Sequence, residues 1–444
     1  VFAILKDLNS AIDQILTYIP AGRQSEEVCI LDALDRIVSR DVAARFSVPP
    51  FDTSAMDGFA VSSADLSADK VAGGSVELIV TGEAAAGSRA DMSVKSGEAV
   101  KIMTGAPLPA GADAILIKEN AVEEKGDGFW NVTCREAVSA GLHVRKTGAD
   151  FSKNDIIIPR GTTINPAALG ILASSGCGRV DVFVKRTVAV VSTGDELIDP
   201  LDETVAQDGF IPGAGRIMNS NLFLLYGLLV KSGLKPELCG IAIDTPEDIA
   251  KKISCGLDKA DIVITTGGAS VGSYDYIPAA LELLGFKVDI WKMAIKPGRP
   301  FIFAVKKGAG ADKIVFGLPG NPASSLVSFI KLLRPALDKY SGAAFQAKGF
   351  TVYGALSEGV KKDRERTTYL RAFVYNPEAG EGEASGNGNR NVNANVNAGV
   401  PIIKVPSKQD SNILTTALYA NCLAEIPPGD GIAAKGDIVA ARMI

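Results

Sequence analysis

At 444 residues and 46.3 kDa the chain is too long for one compact core, so about three or four domains are expected. Hydrophobic residues at 47% and charged residues at 22% exclude wholesale disorder, and a formal charge of −5 excludes a global field for nucleic acid or any other polyanion. No apolar run approaches the roughly 20 residues of a membrane span, and Val1–Pro20 lacks the basic start, apolar centre and cleavage site of a signal peptide.

Leu5, Leu8, Ile12, Ile15, Leu16 and Ile19 recur at helical spacing and predict an amphipathic first helix; a short second helix is expected over Ile30–Ile37. From Asp57 to Val138 the texture turns to β-rich runs at Val76–Val80, Ala99–Met103, Ala114–Lys118 and Trp130–Cys134. Gly73-Gly74 and Gly126-Asp127-Gly128 supply the turns between them. Pro166–Gly176 again reads as a helix. The plainest organisation is a β domain, 48–139, inserted into a discontinuous helical and mixed domain made of 1–47 and 140–180. His143 is the only histidine, which excludes a multi-histidine metal centre; in Gly141-Leu142-His143-Val144-Arg145 it reads as a structural residue on a short surface strand.

From Thr187 strands and helices alternate. Strands are expected at Thr187–Val191, Glu237–Ile243, Asp261–Thr265, Lys287–Trp291, Pro300–Val305 and Lys313–Phe316. Helices are expected at Asn219–Ser232, Pro246–Leu257, Tyr274–Leu284 and Ala323–Tyr340. Near-continuous apolar strands in such an alternation predict a doubly wound, mainly parallel α/β domain over 181–340, so the fold class is α/β multidomain. Residues 341–444 return to β runs (Phe350–Tyr353, Tyr369–Tyr375, Ile402–Val405, Cys422–Ile426, Ile438–Arg442) that fit a small barrel. Within them Pro377–Gly399 is dominated by Gly, Asn, Glu and Ala, too polar to offset the entropy of ordering, and reads as a flexible loop. Deleting Glu378–Gly399 is therefore expected to leave the melting temperature nearly unchanged in a thermal scan; a large drop would show a packed segment. Six cysteines are scattered without a C-x-x-C pair, which points to reduced thiols, a cytoplasmic location and no zinc site.

Three of the α/β strands end in small-residue loops: Ser192-Thr193-Gly194-Asp195-Glu196, Thr265-Thr266-Gly267-Gly268-Ala269-Ser270-Val271-Gly272, and Gly317-Leu318-Pro319-Gly320-Asn321-Pro322. Open parallel sheets bind ligands beyond the carboxyl ends of their strands, where glycines let backbone N–H groups approach a phosphate. Hydroxyls of Ser192, Thr193, Thr265, Thr266 and Ser270 add hydrogen bonds. Any one such loop reads equally well as a tight turn; three on one sheet edge favour a site. Neither a dinucleotide fingerprint nor a P-loop is present. Lys292, Lys296 and Arg299 form the clearest basic cluster, suited to an oxyanion or phosphates; solvated charges at strand ends are the alternative reading. Asp57, Asp150, Glu196, Asp244 and Asp275 each flank a turn and singly read as caps. With a phosphorylated substrate two or three of them suffice to hold Mg²⁺.

Ser54-Ala55-Met56-Asp57-Gly58-Phe59-Ala60, the run Met103–Ala114, Ser192–Glu196, Thr265–Gly272, Lys296-Pro297-Gly298-Arg299-Pro300 and Leu318-Pro319-Gly320-Asn321-Pro322 resemble, in the same order, the MoeA family of molybdopterin molybdenumtransferases, which includes the gephyrin E domain. The resemblance implies an elongated four-domain protomer in a homodimer. It also implies a reaction in which adenylated molybdopterin and molybdate give molybdenum cofactor and AMP with a divalent metal. The cleft would lie between the α/β domain and the partner subunit, reached by the Met-Asp-Gly loop and the C-terminal domain. Asp57, Asp150, Glu196, Asp244 and Asp275 match family acidic positions linked to activity, with Glu196, Asp244 and Asp275 as the metal set. Lys292, Lys296, Pro319 and Pro322 match positions lining the cleft, and Arg371 and Ser411 match two further ones. The upstream adenylyltransferase and recipient molybdoenzymes are the implied protein partners. Molybdate, a tetrahedral dianion, suits Lys, Arg, hydroxyl and N–H donors. The exchanging sulfurs belong to the pterin dithiolene, so no protein nucleophile is needed. The Asn/Gly-rich insert at 377–399 and Ala269, where valine is commoner, depart from the family pattern.

Two other readings compete. Molybdopterin adenylyltransferases share the Gly-Gly-x-Ser-Val-Gly loop but normally consist of the α/β unit alone, without the Met-Asp-Gly loop. A non-catalytic gephyrin-like scaffold would not need the full set of acidic positions, which this chain retains.

Overall fold

The computed structural model describes residues 5–22, 24–87, 91–268, 276–308, 311–344, 351–377 and 400–444. The chain forms two compact units, one of Glu27–Leu34 and Arg40–Val182, the other of Val1–Glu26, Asp35–Ser39 and Phe183–Ile444. The first helix, α1 (Leu8–Tyr18), belongs to the second of these. Its N-cap Asp7 accepts from Ser10 N–H, and Ala11, Ile15 and the following Ile19 are buried among apolar residues of that unit.

In the unit containing residues 40–182, the strands are β1 (Gly58–Val61), β2 (Val76–Ala84), β3 (Glu98–Ile102), β4 (Ala114–Ile117), β5 (Ala121–Gly126) and β6 (Phe129–Cys134). They form one sheet in the order β4-β1-β3-β2-β6-β5, in which only β2 and β3 run parallel. Side-chain alternation divides the core between its faces. Phe59, Val61, Leu78 and Val132 pack on one, Ala60, Val100, Ile102 and Ile115 on the other. The predicted helix at Pro166 is α2 (Pro166–Ser174), capped by the Asn165 side chain.

Two local expectations fail. The helix expected over Ile30–Ile37 is a single 3₁₀ turn, Ile30–Asp32. Asp35 stands at φ 60°, a left-handed conformation that a helix cannot include, where the chain passes from one unit to the other. His143 is a turn residue at φ 55°, ahead of a two-residue strand Val144–Arg145, so the strand expected around it is shorter than the apolar pattern indicated.

The second unit carries the α/β alternation: β7 (Thr187–Thr193), α3 (Ser220–Lys231), β8 (Lys235–Ala242), α4 (Pro246–Lys259), β9 (Ile262–Thr266) and α5 (Ile277–Leu283). There follow β10 (Lys287–Trp291), β11 (Ile295–Lys296), β12 (Ile302–Lys306), β13 (Lys313–Leu318), α6 (Pro322–Ser328) and α7 (Arg334–Ser341). A π turn at Phe329–Leu333 joins the last two, so the helix predicted from Ala323 to Tyr340 is continuous but not uniform. The sheet order is β8-β7-β9-β13-β12-β10, with the first four strands parallel and the β13-β12-β10 edge antiparallel. Both faces are apolar. Val188, Val190, Ile262, Ile264 and Phe316 pack towards α1, α3 and α6, whereas Ala189, Val191, Val263 and Val315 pack towards α4 and α5.

The end of the chain closes a five-stranded barrel from β14 (Thr351–Leu356), β15 (Thr367–Tyr375), β16 (Ile402–Lys404), β17 (Cys422–Ile426) and β18 (Ile438–Met443). β15 pairs with both β16 and β17, and β14 and β18 complete the ring. β11, from the α/β portion, adds to the barrel by pairing in parallel with β15, Lys296 opposite Thr368. The loop expected at 377–399 lies, from residue 378, outside the described residues. Among the described residues no helix is long and apolar enough to cross a membrane.

Candidate active site

The parallel register sets the three strand ends predicted to share a site level with one another: Ser192 of β7 lies beside Thr266 of β9, which lies beside Leu318 of β13. Strand β9 leaves the sheet through Gly267 at φ 95°, where an added Cβ would stand 2.3 Å from the Thr193 carbonyl oxygen. Only glycine lets these two loops lie so close. Gly194, at φ 144°, does the same for the Glu196 carboxylate, whose Oε2 would be 2.5 Å from a Cβ.

Beneath the loops lies a buried polar layer. Ser192 Oγ donates to Asn219 Oδ1 at 3.2 Å, while Asn221 Nδ2 donates to Thr266 Oγ1 at 2.8 Å and to the Gly320 carbonyl at 2.6 Å. Thr193 Oγ1, Thr265 Oγ1, Asn219 Nδ2 and Asn221 Oδ1 are buried and have no partner among the described residues. A buried polar atom left unpaired costs about 1–3 kcal/mol, so this edge is built to take further polar partners. Asn219 and Asn221 escaped the sequence reading because a helix start rich in Asn reads as capping, and Asn219 does also accept from Leu222 N–H.

On the other side of the Leu318–Pro322 loop a barrel segment closes in. Asn321 Nδ2 donates to Ser411 Oγ at 3.0 Å, and Ala323 N–H donates to the Ser411 carbonyl at 3.0 Å. Ser325 Oγ donates to the Pro319 carbonyl, and Pro322 occupies the first turn of α6. Arg371 is fully buried and ties down the segment that carries Ser411. Its Nε donates to Thr416 Oγ1 at 2.7 Å and its Nη2 to the Asp410 carbonyl at 3.2 Å, while its Nη1 has no partner among the described residues. Ser411, far from Asn321 in sequence, thus meets it in space, with Arg371 holding the adjacent Asp410 carbonyl.

The acidic positions divide between the units. Asp57 and Asp150 lie in the unit of residues 40–182, Glu196 and Asp244 in the other. Asp57 accepts from Thr104 N–H and Oγ1, both at 2.8 Å, and these bonds hold its carboxyl below the usual carboxylate range. It thereby clamps the Met-Asp-Gly turn to the Met103-Thr104-Gly105 turn. Asp150 is exposed. Asp244 N–H donates to Asp195 Oδ1 at 3.1 Å. Burial pushes the Asp244 carboxyl up, and the negative charges of Asp195 and Glu196 add to the rise. Asp195 was not singled out by its spacing, since it reads as part of the loop. Asp275 and Ser270 lie outside the described residues. Among the described residues no three carboxylates, histidines or cysteines converge to hold a metal ion. Asp195 and Glu196 lie close enough to Asp244 for their charges to act on its carboxyl, but these three on their own do not form such a group.

The basic cluster is less tight than its sequence spacing indicates. Lys296 projects towards Asp363, 3.3 Å away, which Arg366 also pairs at 2.8 Å. Arg366, then the backbone N–H of Glu365 and Lys296, hold the Asp363 carboxyl far below the ordinary range. Arg299 is exposed, and Lys292, at φ 75°, lies with its ammonium 4.8 Å from the centre of the Trp291 ring. Asp363 carries no local signal, because it meets Lys296 only through the β11–β15 pairing.

The family description "MoeA N-terminal region (domain I and II)" matches residues 6–176 and "Probable molybdopterin binding domain" matches residues 189–339. The molybdopterin molybdenumtransferase of Haemophilus influenzae is 34% identical over 379 residues, 85% of this chain and 88% of that protein. That of Bacillus subtilis is 32% identical over 360 residues, 80% and 79% of the respective chains. The crystal structure of the molybdopterin biosynthesis moeA protein from Pyrococcus horikoshii OT3 superimposes with a TM-score of 0.76 at 26% identity, covering 99% of this chain and all of that one.

Proposed function

We infer, from the premise that this chain belongs to the MoeA family of molybdopterin molybdenumtransferases, that it is an enzyme of molybdenum cofactor biosynthesis. It inserts molybdate into the dithiolene of adenylated molybdopterin and releases AMP. The observation that carries the reading is the sheet edge at Ser192, Thr266 and Leu318, with its close-set glycine loops and buried unpaired polar atoms.

In this reading Ser192, Thr193, Thr266, Gly267, Gly268 and Ser270 present hydroxyl and N–H donors to the pterin phosphate, and Gly194 keeps Glu196 against the same loop. Pro319, Gly320, Asn321 and Pro322 stiffen the neighbouring wall, which Arg371 supports by holding Ser411 against Asn321. Lys296, aided by Lys292 and Arg299, attracts the molybdate dianion. Glu196, Asp244 and Asp275 would hold Mg²⁺, which would supply charge neutralisation at the phosphate being cleaved. Asp57 and Asp150 are further acidic residues that the reaction requires, and the protein acts as a homodimer. A cytoplasmic setting with reduced thiols suits the dithiolene chemistry. The upstream adenylyltransferase and recipient molybdoenzymes are its protein partners.

The test incubates the purified chain with adenylated molybdopterin and Mg²⁺, with and without molybdate, and measures AMP. Molybdate-dependent release is expected; tight binding without release would instead indicate the preceding adenylation step or a scaffold. Lys296→Ala is expected to weaken molybdate binding about tenfold, as loss of one charge-assisted contact of roughly 1.5 kcal/mol implies. Equilibrium dialysis with labelled molybdate checks this, and wild-type affinity would make Lys296 a structural partner of Asp363 only.

A further inference from the structure

Of the six cysteines, all among the described residues, Cys255 alone is exposed, and Cys239 is half-buried. Cys239 lies on β8, the edge strand of the α/β sheet, and Cys255 on the following helix α4, which packs against that strand. Two contacts fix how helix and strand face each other. Lys252 Nζ stands 3.5 Å from where a Cβ on Gly240 would lie, and Lys259 Nζ donates to Glu237 Oε1 at 2.6 Å. Lys252, Cys255 and Lys259 follow at helical spacing along one flank of α4. The helix therefore runs antiparallel to β8, and Cys255 falls between these two contacts, at the level of Cys239.

The Cys239 thiol is turned to the same point of the helix: its Sγ lies 3.5 Å from where a Cβ on Gly256, the neighbour of Cys255, would stand. That Cβ would also lie 3.0 Å from Ala189 Cβ, so the bare glycine is what lets α4 settle this closely on the sheet. At Cys239 the strand is bulged. Val190 pairs with Leu238 and Ser192 with Ile241, so Cys239 and Gly240 together oppose Val191, with Gly240 at φ 79°. A bulged edge strand yields more readily than a regular ladder, which suits the narrow geometry that a disulfide demands. Burial pushes the Cys239 thiol up, and negative charge at Cys255 adds to the rise, so Cys239 stays protonated at neutral pH. The exposed Cys255 therefore meets an oxidant first, with Cys239 beside it to resolve the product.

We propose that Cys239 and Cys255 form an oxidative modification site, a thiol pair that hydrogen peroxide closes into a disulfide tying α4 to β8. The Cys255 thiolate sulfur attacks a peroxide oxygen; the O–O bond breaks, leaving a sulfenic acid and hydroxide. The Cys239 sulfur then attacks the Cys255 sulfur. An S–S bond forms, the S–O bond breaks, and the hydroxyl leaves with the Cys239 proton as water. In sum two thiols lose two electrons and two protons, and one peroxide becomes two waters. In a reducing setting such a bond is transient and is reopened by thiols. Strand β8 ends at Ala242, just ahead of Asp244, so the closed pair tethers the strand that delivers this carboxylate. The proposal rests on the thiols and their packing, not on the reaction proposed above.

The experiment treats the reduced full chain with hydrogen peroxide, counts free thiols after denaturation, and reads linked peptides by mass after digestion without reductant. Wild type is expected to lose two of its six thiols, to yield a Cys239–Cys255 peptide, and to regain both thiols with dithiothreitol. At the same dose Cys255→Ser should keep its remaining thiols reduced. Cys239→Ala should stop at a Cys255 sulfenic acid that dimedone traps. Melting temperatures of the reduced variants establish folding, and Cys239→Ser replaces the alanine variant if that one unfolds. Three results overturn the proposal: thiols that all survive the treatment, a Cys255 that proceeds to sulfinic acid in wild type without linking, or a Cys255 linked to any other cysteine, including that of a second chain.

Discussion

Alanine at Gly267 is expected to cost the fold about 2–5 kcal/mol and to abolish pterin binding. A side chain at φ 95° carries left-handed strain of about 1–2 kcal/mol, and its Cβ would sit 2.3 Å from the Thr193 carbonyl and 2.8 Å from Thr193 Oγ1. Relief requires moving backbone of two adjacent strand ends, an overpacking cost of about 1–3 kcal/mol. That movement parts the loops whose spacing defines the site, so binding fails even in the fraction that stays folded. Urea denaturation and pterin-fluorescence titration read the two effects separately. A variant with wild-type midpoint and affinity would mean that the close approach of Gly267 to Thr193 is not part of the site.

Asp244→Asn is expected to lower Mg²⁺-dependent AMP release by a factor of about 10² or more, the scale of losing one oriented electrostatic group, while raising the stability of the metal-free protein. The sign follows from linkage. Burial, Asp195 and Glu196 raise the folded-state pKa of Asp244 above its unfolded value. The folded chain therefore holds the proton more tightly; the stability this contributes is present at low pH and is lost as pH rises through the elevated pKa. At neutral pH the charged carboxylate opposes folding, and an amide removes that opposition. Mg²⁺ reverses the relation, binding the ionised form and stabilising the wild type more as pH rises. Thermal scans at two pH values with and without Mg²⁺ check the prediction. A Mg²⁺-induced shift that survives in the variant would remove Asp244 from the metal shell.

Elements whose function is local were legible in the sequence. The strand-end loops at Ser192, Thr266 and Leu318 could be placed on one edge because apolar runs, intervening helices and glycines state the parallel sheet directly. Partners created by distant pairing were not legible. Asp363 reaches Lys296 through the two-residue strand β11, too short to announce itself by periodicity, and Arg371 finds Thr416 across a turn with no motif. Asn219 and Asn221 sit at a helix start that reads as capping, which concealed the bonds they make with Ser192 and Thr266. The failed helix at Ile30–Ile37 has a different cause, since an apolar pattern cannot reveal that Asp35 adopts a left-handed conformation where the chain changes units.

The addition of β11 to the barrel strand β15 bears on how such a gene can be cut and recombined. A fragment ending at Ser341 would retain the whole doubly wound sheet yet release Lys296 from Thr368 and from Asp363, and would also uncover Asn321 where Ser411 docks. In this chain the α/β portion and the barrel are joined by backbone pairing, so exchanging either piece here has to preserve the pairing of Lys296 with Thr368.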